Sequence, residues 1–167
     1  NGCSHQPGRQ TAQAQPVVAP VRVSAAELAR LPRATTFTRI RSAPADQAPF
    51  ALNGGLVVHP LQPQVLYAAP GKQPVAVLPA TELGSPTWVP VVQSSPGWER
   101  VLLPSRPNRA TGWIFTGGTG RSRLDIRRSS YLIRIQIGAR KLSVDDGGRS
   151  LGTWTVAVGA AVAVATL

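Results

Sequence analysis

Short apolar runs separated by turn residues occupy the middle of the chain. Four of them stand at residues 36–41, 56–59, 65–67 and 75–78, and a proline follows each within a few positions. Short strands with turn residues between them are typical of a small antiparallel sandwich or barrel. The pattern therefore predicts a mainly β fold.

Three further apolar runs begin with tryptophan, at residues 88–92, 98–103 and 113–115. The Pro-Gly pair between the first two is a turn signal. Together with the earlier runs they predict one β domain at residues 35–116. A helical pattern occurs only at residues 25–31 (AAELARL), which Ser24 would cap at the N-terminal end.

The flanks of this domain have a different composition. Residues 1–34 are rich in Gln, Ala, Pro and Val without a sustained period, which predicts an exported flexible linker. Residues 117–128 are rich in Gly, Ser and Arg and predict a connector. Residues 129–167 contain three more apolar runs with Asp-Gly-Gly between the last two, which predicts a three-stranded meander. Such a unit alone buries one face and is marginally stable.

Charge narrows the choice of partner. The formal net charge is +11, and Lys72 and Lys141 are the only lysines among 18 basic residues. A basic chain favours an anionic partner such as nucleic acid, anionic lipid or cell-wall polymer. The one basic cluster, at residues 121–128, has Asp125 inside it and no helix-turn-helix, zinc or RNP-like pattern beside it. A solvated basic connector is the alternative interpretation, and we do not expect nucleic acid as the partner.

Cys3 is the only cysteine, so the chain forms no internal disulfide. It follows Gly2 and precedes Ser4, an arrangement similar to the end of a lipobox, whose cysteine carries lipid. Lipidation at Cys3 would tether the protein to a membrane outside the cytoplasm. A chance Gly-Cys pair near the terminus is the alternative.

Two segments resemble parts of bacterial cell-wall enzymes. Residues 65–114 (LYAAPGKQPVAVLP, then TWVPVVQSSPGWERVLLPSRPNRATGWI) resemble a bacterial SH3-like domain. Residues 129–159 (SYLIRIQIGARKLSVDDGGRSLGTWTVAVG) resemble the opening strands of an L,D-transpeptidase catalytic domain of the YkuD type. The resemblance implies a small SH3-like barrel followed by a partial β meander, that is, a truncated transpeptidase domain at residues 129–167.

The same resemblance implies a function in peptidoglycan crosslinking by cysteine acyl transfer. In that family the nucleophile lies in a Ser-x-Gly-Cys type motif with a histidine upstream, and this chain contains no such motif. Its histidines are His5, in the predicted linker, and His59, a structural or exposed strand residue. We therefore assign no catalytic residue, no metal ligand and no cofactor, and expect this chain to be inactive alone.

Three tryptophans are candidate binding residues. Trp88, Trp98 and Trp113 would stack on sugar rings if exposed, but with so few large apolar residues they are more often core. The expected partner is peptidoglycan or another anionic cell-wall polymer. The expected location of the protein is outside the cytoplasm, in the cell wall or at the membrane as an anchored lipoprotein.

Three hypotheses about function follow. The chain is part of an L,D-transpeptidase without its active site, a non-catalytic peptidoglycan-binding module, or a basic nucleic-acid-associated protein. A reading frame continuing past residue 167 into a histidine and a Ser-x-Gly-Cys motif would establish the first. Retention on DNA alone, rather than on peptidoglycan, would establish the third.

Overall fold

The computed structural model describes residues 16–51, 53–117 and 123–157 and confirms the mainly β fold class. The single helix of these residues, α1 (Ala25–Arg30), begins at the predicted cap. The Ser24 hydroxyl accepts a hydrogen bond from the Glu27 amide at 3.2 Å, and the Glu27 carboxylate accepts one from the Ser24 amide at 2.8 Å. This reciprocal capping box fixes the start of a helix that would be too short to form alone.

The described residues contain twelve strands. In chain order they are β1 (Leu56–Pro60), β2 (Gln64–Tyr67), β3 (Pro74–Leu78), β4 (Thr81–Glu82), β5 (Ser85–Pro86), β6 (Val89–Ser95), β7 (Trp98–Leu102), β8 (Thr111–Phe115), β9 (Leu124–Arg128), β10 (Tyr131–Gln136), β11 (Lys141–Asp146) and β12 (Arg149–Thr155).

Seven strands form the main sheet in the order β3-β2-β8-β7-β6-β1-β9, with antiparallel neighbours throughout. The β2–β3 and β6–β7 hairpins turn at the predicted Pro-Gly pairs. Gly71 and Gly97 adopt φ of 69° and 74° there, a left-handed conformation that glycine reaches without steric cost.

Two segments differ from the sequence prediction. Residues 36–41, whose pattern favours a strand, contain turns and form no strand, and Arg39 makes an isolated bridge to Arg106. The predicted connector at residues 117–128 ends in β9, which pairs with β1 along its whole length. Two effects favour this pairing. Leu124 becomes buried in the core, and β9 covers an edge of β1 that would otherwise be open.

The larger core cluster lies between the main sheet and an irregular N-terminal segment. Ala34 and Ile40 of that segment are buried, and isolated bridges join it to Val77 in β3 and to Arg106 and Ala110 in the β7–β8 loop. The sheet contributes small and medium aliphatic side chains, mainly Val58, Leu66, Val75, Ala76, Leu78, Val89, Val91, Val101, Leu103, Ala110, Ile114 and Leu124. Such side chains pack densely and account for the stability of this unit.

A second core cluster is aromatic. Trp98 packs edge-on against Tyr67 and Phe115, with ring centroids 5.3 and 5.1 Å apart, and Trp113 lies in the same cluster. The Trp98 indole N–H donates to the Val18 carbonyl at 2.8 Å, and the Tyr67 hydroxyl donates to the Val21 carbonyl at 3.1 Å. Residues 16–34 belong to the predicted flexible linker. In the structure, Val18 and Val21 accept hydrogen bonds from the β domain, and residues 25–30 form helix α1.

The meander predicted at residues 129–159 is confirmed, over its described part to residue 157, as a three-stranded sheet in the order β10-β11-β12. Its register places Ile133 opposite Val144 and Ile135 opposite Leu142, which lies opposite Trp154, so these five apolar side chains share one face. The other face is mostly polar, with Leu132 among its residues, and contains an ion pair between Arg134 and Asp145 at 2.9 Å. No side chain of these three strands is fully buried.

This difference in burial predicts where trypsin cuts first. We expect early cleavage in the β10–β12 sheet, beginning at the exposed hairpin residues Arg140 and Lys141, because few buried contacts oppose its local opening. Arg100, inside strand β7 of the main sheet, should survive longer. Mass spectrometry of timed digests checks the order, and equal protection of both regions would contradict it.

Tyr67 predicts a change in stability at alkaline pH. Burial raises the pKa of Tyr67 above its usual 10.0, so the unfolded chain loses this proton first as the pH rises. The stabilisation is fully present below about pH 10 and is lost as the pH rises through the raised pKa. Urea unfolding at a series of pH values should show a smaller alkaline loss of stability for Tyr67→Phe than for the native chain.

Tyr131→Phe is the matched control, because Tyr131 is the only other tyrosine and is exposed. Its alkaline stability profile should follow that of the native chain. If Tyr67→Phe and the native chain lose the same stability at alkaline pH, ionisation of Tyr67 does not contribute to that loss.

Candidate functional site

The structure separates the three candidate tryptophans. Trp98 and Trp113 are 1% and 7% exposed, so they serve as core and present no ring face to a ligand. Their burial corrects the assignment of both as binding residues, and its physical reason is the aromatic packing with Tyr67 and Phe115. Trp88 remains 39% exposed and is the one of the three that a ligand can reach.

Strand alternation explains why Trp88 faces outward. Its neighbours Thr87 and Val89 are buried, so Trp88 points to the opposite side of the chain. Val89 pairs with Val58, which sets Trp88 beside His59 at the end of β1. The ring centroids of Trp88 and His59 are 5.2 Å apart, with an angle of 36° between the planes.

Strand β9 adds two charged groups to the same face. Asp125 pairs with His59 and Arg127 pairs with Val57, two residues along β1, so both side chains share the face of His59. The Arg127 guanidinium lies over the Trp88 ring, 5.3 Å from its centre, which is cation–π distance. We call Trp88, His59, Asp125 and Arg127 the Trp88 platform.

Hydrogen bonds and charge hold the platform in place. The Arg127 guanidinium meets the Asp125 carboxylate at 2.6 Å, and this hydrogen-bonded contact raises the pKa of Arg127. His59 Nδ1 lies 3.0 Å from the Thr87 carbonyl oxygen, which orients the imidazole beside the indole. The result is an aromatic surface flanked by groups that donate and accept hydrogen bonds.

Such a surface suits a sugar ring. The face of an indole carries negative quadrupole charge and attracts the polarised C–H groups of a pyranose, while adjacent charged groups bond its hydroxyls. No sequence pattern joins His59, Asp125 and Arg127 to Trp88, because strand register brings them together. The sequence alone predicts His59 as a structural or exposed strand residue and Arg127 as part of a basic cluster.

Among the described residues of the basic cluster, Arg127 and Arg128 make separate contacts. Arg127 pairs with Asp125, whereas the Arg128 guanidinium donates to the Gly54 carbonyl at 2.8 Å. Arg121 lies outside the described residues, as do Cys3 and His5. Within the described ranges no three His, Cys, Asp or Glu side chains are grouped to hold a metal ion, and no helix is long and apolar enough to cross a membrane.

A cavity of about 580 Å³ lies elsewhere on the molecule, between α1 and strand β2. Leu28 and Ala29 of the helix form one wall, and Val65 and Tyr67 form another. Its lining comes from segments far apart in sequence, so sequence analysis alone offered no signal for it.

No family model matches the chain, and comparisons with curated proteins and with solved structures find no match.

Proposed function

We propose that this is an extracytoplasmic cell-wall protein whose SH3-like β domain binds the glycan of peptidoglycan at the Trp88 platform. The observation that carries the proposal is the exposed Trp88 ring, flanked by His59 on one strand and by the Arg127–Asp125 pair on another. Stacking on the indole orients a sugar, and the charged pair supplies both a donor and an acceptor for its hydroxyls.

The overall charge supports the same class of partner. A net charge of +11 raises the local concentration of an anionic polymer around the domain, which increases the rate of association. The platform itself is nearly balanced in charge because Asp125 neutralises Arg127. Long-range attraction and local recognition therefore come from different residues.

We also propose that the chain belongs to a peptidoglycan-crosslinking protein of the L,D-transpeptidase type. Support comes from the order of the two sequence patterns, an SH3-like segment at residues 65–114 followed by the transpeptidase-like segment at 129–159. The residues of this chain would then hold the polymer, and lipidation at Cys3 would tether the protein near its substrate. Acyl transfer needs a cysteine motif that the chain does not contain.

Binding to purified peptidoglycan tests the platform. In co-sedimentation at physiological salt, we expect the native chain to bind saturably and Trp88→Ala to bind about tenfold more weakly, because the variant loses the stacking surface. Phe50→Ala is the matched control, since Phe50 is an aromatic residue that is 95% exposed and is not part of the platform.

Arg127→Gln separates recognition from general charge. It should weaken binding more than Arg134→Gln, which removes one positive charge from the other sheet. Unchanged binding by Trp88→Ala would contradict the platform, and retention on DNA without retention on peptidoglycan would contradict the cell-wall function.

A further inference from the structure

The cavity between α1 and β2 is lined mainly by apolar residues. Leu28 and Leu31 come from the helix and its C-terminal cap, Val65 and Val77 from β2 and β3, and Phe115 from the end of β8. Its volume of about 580 Å³ is usual for a small-molecule site. A cavity of this size and lining suits the hydrocarbon part of a ligand.

Helix α1 buries little of its apolar surface. None of its residues is buried, and Leu28, which lines the cavity, is 43% exposed. A helix of six residues gains little stability from its own hydrogen bonds, so it depends on tertiary packing. A hydrocarbon chain in the cavity would bury Leu28 and supply part of that packing.

Two arginines line the same cavity. Arg33 is held beside β3 by a bridge to Val77, in which the Ala34 amide donates to the Val77 carbonyl at 2.8 Å. Arg123 is held just before β9, where its carbonyl accepts a hydrogen bond from the Leu61 amide at 2.9 Å. Both backbones are therefore fixed, while both arginine residues are exposed to solvent.

The charge of the cavity has one sign. Among the described residues, no aspartate or glutamate lines it, and the side chains of Arg33 and Arg123 have no carboxylate or hydrogen-bond partner. A guanidinium pairs with carboxylate or phosphate oxygens through charge-assisted hydrogen bonds. The two arginines therefore favour an anionic head group, and the rest of the lining favours an apolar body.

We propose that this cavity binds one anionic amphiphile, a single hydrocarbon chain with a carboxylate or phosphate head group. The chain lies between Leu28 of the helix and Val65 of β2, and the head group pairs with Arg33 and Arg123. The site shares no residue with the Trp88 platform, so the proposal goes beyond glycan binding and does not rest on it.

Isothermal titration calorimetry of the full chain tests the class of ligand, with every amphiphile kept below its micelle concentration. We expect one molecule of dodecanoate or dodecyl phosphate to bind per chain, and the tighter of the two indicates the head group of the natural ligand. Dodecanol should bind about fivefold more weakly, because it has the same tail without the charge. Decanoate should bind about tenfold more weakly than dodecanoate, because it buries two fewer methylene groups.

Removal of the two charges tests the head-group contact. Arg33→Gln together with Arg123→Gln should weaken dodecanoate binding about fivefold and leave dodecanol binding unchanged. Arg140→Gln together with Arg149→Gln is the matched control, because it removes the same charge from exposed positions beside the other sheet. The control should bind both amphiphiles like the native chain.

A side chain that fills the cavity tests where the tail lies. Ala29→Trp should weaken binding of dodecanoate and dodecanol at least about tenfold, because Ala29 lines the cavity. Ala26→Trp is the matched control, since Ala26 lies on the same helix and outside the lining.

Hydrogen exchange of the native chain supplies a measurement that needs no variant. Saturating dodecanoate should slow amide exchange in α1, because the bound tail packs against Leu28. The proposal is overturned if no saturable binding occurs, if dodecanol binds as tightly as dodecanoate, or if exchange in α1 does not change on binding. Equal weakening of dodecanoate binding by both double arginine variants would also overturn it, since binding would then follow net charge alone.

Discussion

The burial of Trp98 constrains the whole main domain. Its indole N–H lies in the interior and needs an acceptor, since an unsatisfied buried donor costs about 1–3 kcal/mol. The main sheet does not supply that acceptor; the Val18 carbonyl does, from 80 residues away in sequence. The N-terminal part of the chain is therefore a structural component of the domain.

The same constraint explains how a chain with 5% aromatic residues builds a stable core. Its large rings are concentrated at one place, around Trp98, while the remaining core consists of Val, Leu, Ile and Ala. An irregular segment, bridged once to β3 and twice to the β7–β8 loop, covers these aliphatic side chains. Two clusters of different composition thus share one sheet, and both depend on residues that precede its first strand.

Local pattern predicted the strands whose neighbours lie nearby in sequence. Residues 75–78, 98–103 and 113–115 were expected as strands and lie in β3, β7 and β8, apart from Leu103 just beyond the end of β7. Residues 36–41 alternate like a strand but form turns. Burial of Ile40 in the core and its backbone hydrogen bond to Arg106 hold them in this conformation. Strand β9 could not be foreseen, since its pairing with β1 joins residues about 70 positions apart.

Local sequence pattern also predicts the candidate site only in part. Trp88 was identified from sequence together with Trp98 and Trp113, and residue type alone could not separate the exposed ring from the buried ones. Trp88 is exposed because its neighbours Thr87 and Val89 point into the core. The register of β1 with β9 then places charged side chains beside it. The partners His59, Asp125 and Arg127 follow from that register and from no local motif.

The sheet of β10, β11 and β12 has a consequence for the behaviour of the protein in solution. Its two outer strands have unpaired edges within the described residues, and one face exposes Ile133, Ile135 and Trp154. Open edges beside an apolar face promote intermolecular strand pairing and sheet stacking. Colloidal stability therefore relies on mutual repulsion between positively charged molecules, which concentrated salt screens, so dilute and low-salt preparations should remain monodisperse longest.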